Sequence, residues 1–139
     1  MIRLCACGQK NHIPPKHLAD RGKCGACKAP LEPQSEPINA DEREFDEIVS
    51  ASPVPVLVDF WAAWCGPCRM AAPEVEAAAK ELAGRALVVK VDTEKHPSLA
   101  AKFGVRGIPN FLVLKDGRVA FQQAGLVRSG EMVRWVERA

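Results

Sequence analysis

Between the apolar run Val54-Pro55-Val56-Leu57-Val58-Asp59-Phe60-Trp61 and an alanine- and glutamate-rich stretch over 67–82 stands the tetrapeptide Cys65-Gly66-Pro67-Cys68. No other feature limits the fold as strongly. A β-rich apolar run without alternation marks a strand buried on both faces. The stretch after it has helix-forming composition, and Gly84 follows as a stop. Pro67 falls in the first turn, where its missing N–H costs no hydrogen bond. The two cysteines are therefore expected at a strand-to-helix junction, one helical turn apart.

The surrounding chain extends this pattern. Asp41 with Glu44 three residues later predicts a capped helix start, and Phe45, Ile48 and Val49 then form an i, i+3, i+4 stripe. Residues 86–92 read as a second buried strand and 98–103 as a short helix. Residues 111–114 and 119–121 flank Lys115-Asp116-Gly117-Arg118, a hairpin signal. Ser129 is expected to cap a last helix carrying Met132, Val133 and Val136. Pro73 is expected to kink the helix over 67–82. The order α-β-α-β-α-β-β-α implies an α/β fold with a mixed central sheet, flanked by helices on both faces and ending in an antiparallel hairpin.

Residues 1–36 differ in kind. They hold four of the six cysteines and six Lys/Arg against three acids, a surplus of three positive charges in a chain of formal net charge +2. Their few large apolar residues cannot offset the entropy of ordering unless something cross-links them. Residues 29–38 contain three prolines and read as a stiff, exposed linker. The division expected is 1–36, a zinc-ribbon-like domain with linker, and 37–139, the α/β domain.

The helix N-terminus presents unpaired N–H groups and a positive dipole end, which favour thiolate at Cys65. A thiolate attacks a disulfide, and Cys68, one turn on, can attack the resulting mixed disulfide. A zinc knuckle at this pair would need a second ligand pair, and 37–139 holds no further cysteine. Trp61 and Trp64 supply apolar surface beside the sulfurs. In the front piece, Cys24-Gly25-Ala26-Cys27 has knuckle spacing. Cys5-Ala6-Cys7 is one residue shorter, and the gap between the pairs suits a two-knuckle ribbon. Cys5, Cys7, Cys24 and Cys27 are expected to hold one structural Zn2+ per chain. The alternatives are His12 or His17 in place of Cys5 or Cys7, disulfides, or exchange-active thiols. His12, His17 and His96 otherwise read as surface residues.

The segment from Val58 to Cys68, with Arg106-Gly107-Ile108-Pro109 further on, resembles the thioredoxin signature, and the likeness covers nearly all of 38–139. The whole chain resembles the zinc-containing thioredoxin-2 type, apart from its short first knuckle. The resemblance implies a thioredoxin fold, with Cys65 as attacking and Cys68 as resolving thiol. It implies Asp59 as the buried acid beneath them and Lys90 as its buried partner. A structural ion pair for Asp59 and a solvent-reaching strand-edge lysine for Lys90 are the alternatives. It implies Pro109 as a cis-proline, with Trp64, Gly66, Pro67, Ile108, Pro109 and Gly125 on the substrate surface, although Gly125 reads equally as a turn glycine. Asn110 stands where the family usually has threonine.

The activity implied is that of a cytoplasmic protein-disulfide reductase, acting on disulfide-containing proteins and recycled by an NADPH-dependent thioredoxin reductase. The front zinc would be structural or redox-sensing. No Gly-rich dinucleotide loop is present, so no directly bound organic cofactor is expected. No apolar run reaches membrane-spanning length and no secretory h-region stands at the N-terminus, which leads to the expectation of a cytoplasmic protein; a monomer is expected. Nucleic acid is an improbable partner at this charge, with no aromatic residue in 1–36.

Overall fold

A computed structural model describes residues 1–139. In chain order the elements are β1 (Ile2–Leu4), β2 (Lys10–His12), a 3-10 turn (Pro15–His17), β3 (Gly22–Lys23), β4 (Pro30–Leu31), β5 (Ile38–Asn39) and α1 (Glu42–Ala51). There follow β6 (Val56–Trp61), α2 (Gly66–Leu82), β7 (Leu87–Asp92), α3 (Pro97–Lys102), β8 (Asn110–Lys115), β9 (Arg118–Ala124) and α4 (Ser129–Glu137). Five strands form the central sheet in the order β5-β7-β6-β8-β9. The β5, β7 and β6 strands run parallel, and β8 and β9 are antiparallel additions at the other side. The thioredoxin fold expected from the sequence is the fold observed.

Strand alternation sorts side chains to the two faces. From β6, Val56, Val58 and Phe60 join Phe45 and Ile48 of α1 and Leu99 of α3 in one apolar cluster. Leu57 joins Ala71, Val75 and Ala78 of α2 and Met132 and Val136 of α4 in the other. Asp59 shares the parity of Leu57, so it points to the α2 side. Lys90 shares the parity of Val88 on β7, which belongs to the same cluster. Asp59 and Lys90 are direct register partners across β6 and β7.

Two helix ends show local chemistry at work. The capping box at Asp41 and Glu44 is complete, with both reciprocal bonds formed. Ser129, expected as a cap, instead lies inside α4 and makes no cap bond. Its backbone N–H donates to Glu74 Oε1 on α2 at 2.9 Å, so a carboxylate from another helix satisfies that terminus.

The front piece is two small antiparallel hairpins, β1–β2 and β3–β4. Gly8 (φ 96°) and Lys28 (φ 64°) reverse the chain just after each cysteine pair. The linker expected over 29–38 is not an exposed spacer. Leu31 and Ile38 are buried, and Gln34 N–H donates to Leu18 O at 2.9 Å. Leu18, 1% exposed, and Ala19 belong to the apolar cluster that holds Ile38 and Phe45. A side chain at Gly84 would meet Pro33 and Ala19. The hairpin module thus rests near the C-terminal end of α2, the end opposite the cysteine pair. Leu18 and Ala19 gain their burial from the α/β core, while Leu31 is buried within the module beside Cys5 and Cys24.

Candidate active site and sulfur cluster

Cys65 is the N-cap residue of α2, and its Sγ accepts a hydrogen bond from Cys68 N–H at 3.2 Å. Cys65 and Cys68 form a disulfide with a Cα–Cα distance of 5.2 Å, and both are buried. The helix end that carries them supplies N–H groups and dipole to whichever sulfur bears negative charge. Ile108 and Trp61 pack against the pair, and Cys65 Sγ lies 3.7 Å from Ile108 O. The Ile108–Pro109 peptide is cis. Pro109 O accepts from Gly125 N–H at 2.8 Å, and Gly125 has φ 104°. A left-handed backbone there suits glycine alone among common residues. Three separate segments, 64–68, 108–109 and 125, therefore meet around one disulfide.

Trp64 is 67% exposed, and its Nε1–H donates to Glu94 Oε1 at 2.8 Å. Glu94 carried no sequence signal, because the contact joins positions thirty residues apart. Gly66 is half-buried and Pro67 exposed on the same rim. Asn110 is buried, and its Oδ1 accepts from Gln122 Nε2 at 3.1 Å.

Asp59 is 1% exposed, and its Oδ1 has no hydrogen-bond partner. Burial pushes its carboxyl up to about 7, against the downward pull of the Lys90 ammonium. Burial disfavours the ionised form, and an opposite charge or hydrogen bonds to the carboxylate offset it. Lys90 is half-buried rather than buried, and its Nζ sits 4.8 Å from the centroid of the Trp61 ring. It acts on Asp59 through space, not as a contact partner, which corrects the buried pair expected from the sequence.

The sulfurs of Cys5, Cys7, Cys24 and Cys27 all lie within 4.8 Å of one another. Cys5 and Cys27 are 3.6 Å apart at sulfur, and Cys7 and Cys24 are 3.7 Å apart. A tetrahedral Zn2+ with sulfur at about 2.3 Å sets sulfur–sulfur edges of about 3.8 Å, so the spacing fits. All four are free of disulfides. The donor set fits chemically as well. Backbone N–H groups of Cys27 and Ala26 stabilise the Cys24 thiolate and lower its pKa to about 6. The Cys7 N–H favours thiolate at Cys5, but the hydrogen bond to Cys27 and burial push Cys5 up to about 11. Four neighbouring sulfurs cannot all ionise without a cation. Neither His12 nor His17 joins the cluster, and His17 pairs instead with Asp20 at 2.7 Å. Asn11, not anticipated, braces the second knuckle. Its Oδ1 accepts from Gly25 N–H, and its Nδ2 donates to Cys24 Sγ.

A redox-active cysteine pair at a strand-to-helix junction of this sheet defines a dithiol–disulfide oxidoreductase. The Thioredoxin family profile matches residues 36–138. The chain is 40% identical to Thioredoxin C-3 of Corynebacterium nephridii, across 99% of this chain and 94% of that one. It is 37% identical to a thioredoxin of Haemophilus influenzae, across 73% and 95% respectively. Among solved structures, a mutant thioredoxin from Halobacterium salinarum superposes with a TM-score of 0.70 at 34% identity, over 76% of this chain and 91% of that one. Chloroplastic thioredoxin z gives 0.69 at 27% identity, over 74% and 93%. The chain belongs to the thioredoxin family and is a thiol–disulfide oxidoreductase. The family implies disulfide-bearing substrates and a thioredoxin reductase as partners. No helix is long and apolar enough to cross a membrane.

Proposed function

We propose that the protein is a cytoplasmic protein-disulfide reductase in which Cys65 attacks and Cys68 resolves. The observation that carries this reading is Cys65 Sγ at the N-terminus of α2, against Ile108 O and on the face to which Asp59 points. The Cys65 thiolate attacks one sulfur of a substrate disulfide. A Cys65–substrate disulfide forms, and the other substrate sulfur leaves as a thiolate that takes up a proton. The Cys68 thiol gives its proton to the Asp59 carboxylate, and its thiolate attacks Cys65 Sγ. The substrate leaves fully reduced, the Cys65–Cys68 disulfide remains, and two electrons have passed to the substrate. A carboxyl titrating near neutrality suits that proton transfer. Ile108 lies beside the disulfide as backbone on which an extended substrate can pair, and Pro109, Gly125, Trp64, Gly66 and Pro67 complete the surface. Lys90 tempers the cost of ionising Asp59. NADPH-dependent thioredoxin reductase would return the disulfide to the dithiol.

Cys5, Cys7, Cys24 and Cys27 would hold one structural Zn2+. Bound there, the ion supplies charge that keeps four thiolates together and cross-links two hairpins too small to fold alone. Unbridged thiols of this kind belong in a reducing compartment such as the cytoplasm. We expect the protein to act as a monomer.

Insulin reduction with dithiothreitol tests the mechanism. Wild type should turn over, Cys65→Ser should not, and Cys68→Ser should accumulate a mixed disulfide visible by mass. Full turnover by Cys65→Ser would refute the assignment.

A further inference from the structure

Close in sequence to each of the three segments that meet at the dithiol stands an arginine that makes no ion pair. Arg69 follows Cys68, Arg106 stands two residues before Ile108, and Arg128 three residues after Gly125. All three are exposed, and none makes an ion pair or a side-chain hydrogen bond. Elsewhere pairing with an acid is commoner, although Arg118 and Arg138 are also exposed and without an ion pair. Arg21, Arg43, Arg85 and Arg134 each pair with a glutamate. Two acids at the rim, Glu74 and Glu94, are turned to the chain's own donors. Glu74 accepts from Ser129 N–H, at the positive end of α4, and Glu94 accepts from the Trp64 indole. This face offers guanidinium donors and keeps its acceptors engaged.

An open groove of about 380 Å³ adjoins it, lined by Met70, Glu74, Leu126, Val127 and Arg128. Met70 is 64% exposed and Leu126 44%, so two large apolar side chains line the groove within reach of solvent. The groove begins one residue beyond the dithiol surface in sequence: Leu126 follows Gly125, whose N–H is bonded to Pro109 O.

We propose that this face selects protein disulfides flanked by acidic residues, with an apolar substrate side chain against Met70 and Leu126 and a carboxylate on Arg128. A guanidinium binds a carboxylate in a bidentate fork, which gives direction as well as attraction. Arg69 and Arg106 extend the positive field across the rim, where charge acts mainly on the rate of association. The inference rests on the reductase reading and adds the substrate class to it.

Two disulfide-bridged peptides of equal length test it, with a leucine beside one cysteine followed by Asp-Glu in one and Lys-Lys in the other. Wild type at low salt should reduce the acidic peptide with a kcat/KM about tenfold higher, within the range of electrostatic steering. The advantage should vanish near 0.5 M salt, where the screening length falls to about 4 Å. Arg128→Glu should abolish or invert the preference, and Arg128→Lys should keep most of it. Equal kcat/KM for the two peptides in wild type at low salt, or an unchanged ratio in Arg128→Glu, would overturn the proposal. Reduction of neither peptide by wild type would overturn the reductase reading itself.

Discussion

Replacing Asp59 by asparagine should change how stability depends on pH, in a direction set by its burial. Asp59 is 1% exposed, and its carboxyl titrates at about 7 instead of 3.8. The native state therefore keeps this proton to higher pH than the unfolded chain does. Between those two values the folded protein binds more protons than the unfolded one, so stability falls as pH rises through the window. Above about 7 the loss is complete. At 1.36 kcal/mol per pH unit the gap is worth about 4 kcal/mol. Asp59→Asn keeps the shape and lacks the titration. The unfolding free energy of the variant minus that of wild type should thus grow by up to about 4 kcal/mol from pH 4 to pH 8. Urea unfolding of both proteins in their disulfide forms, at matched pH values, measures it, and taking the difference cancels titrations elsewhere, including those at the front cysteines. A difference that stays flat across this range would show that Asp59 is hydrated or paired in solution, and would remove the basis for its role in proton transfer.

The remaining expectations concern packing, capping and metal. Leu18→Ala should cost about 3 kcal/mol in thermal or chemical unfolding of the whole chain, because it opens a cavity in the cluster shared with Phe45; a change confined to the first 36 residues would contradict the shared core. Glu74→Ala should cost about 1 kcal/mol and speed amide exchange in the first turn of α4, since Ser129 N–H loses its acceptor. Freshly reduced protein should carry one zinc per chain, and a strong chelator should release it, expose four more titratable thiols and lower the melting temperature. Reduced protein that holds no metal would refute the four-thiolate site.

Legibility in the sequence followed the range of the forces involved. The central strands and α2 could be read because apolar runs, Pro67 and Gly84 act locally. The dithiol was readable for the same reason: its chemistry lies within four consecutive residues. The capping box at Asp41 and Glu44 spans one turn and was also visible. Ser129 was misread because its N–H is satisfied by Glu74, fifty-five positions away. The short β5 was missed because two residues between Pro37 and Ala40 carry no period. The expected linker concealed Leu31, and Leu18 gave no sign that it would sink into a core built by later residues. Lys90, implied by the resemblance as a buried partner of Asp59, is its register neighbour across β6 and β7, yet its flexible stem takes the ammonium over Trp61 instead of onto the carboxylate. The four front cysteines were found by spacing, while Asn11, which braces Cys24, lies in a three-residue strand without any pattern.

The docking of the hairpin module near the far end of α2 bears on how one chain keeps six cysteines without scrambling them. Cys65 caps one end of a 17-residue helix, and Pro33 and Ala19 of the module lie against Gly84 just past the other. A helix of that length spans about 25 Å, far beyond the few ångströms at which sulfur exchanges with sulfur. Helix α2 serves as an insulating spacer between a reactive and a quiet set of thiols. Exchange between the two sets is then expected to run between two molecules, with a rate that scales with protein concentration.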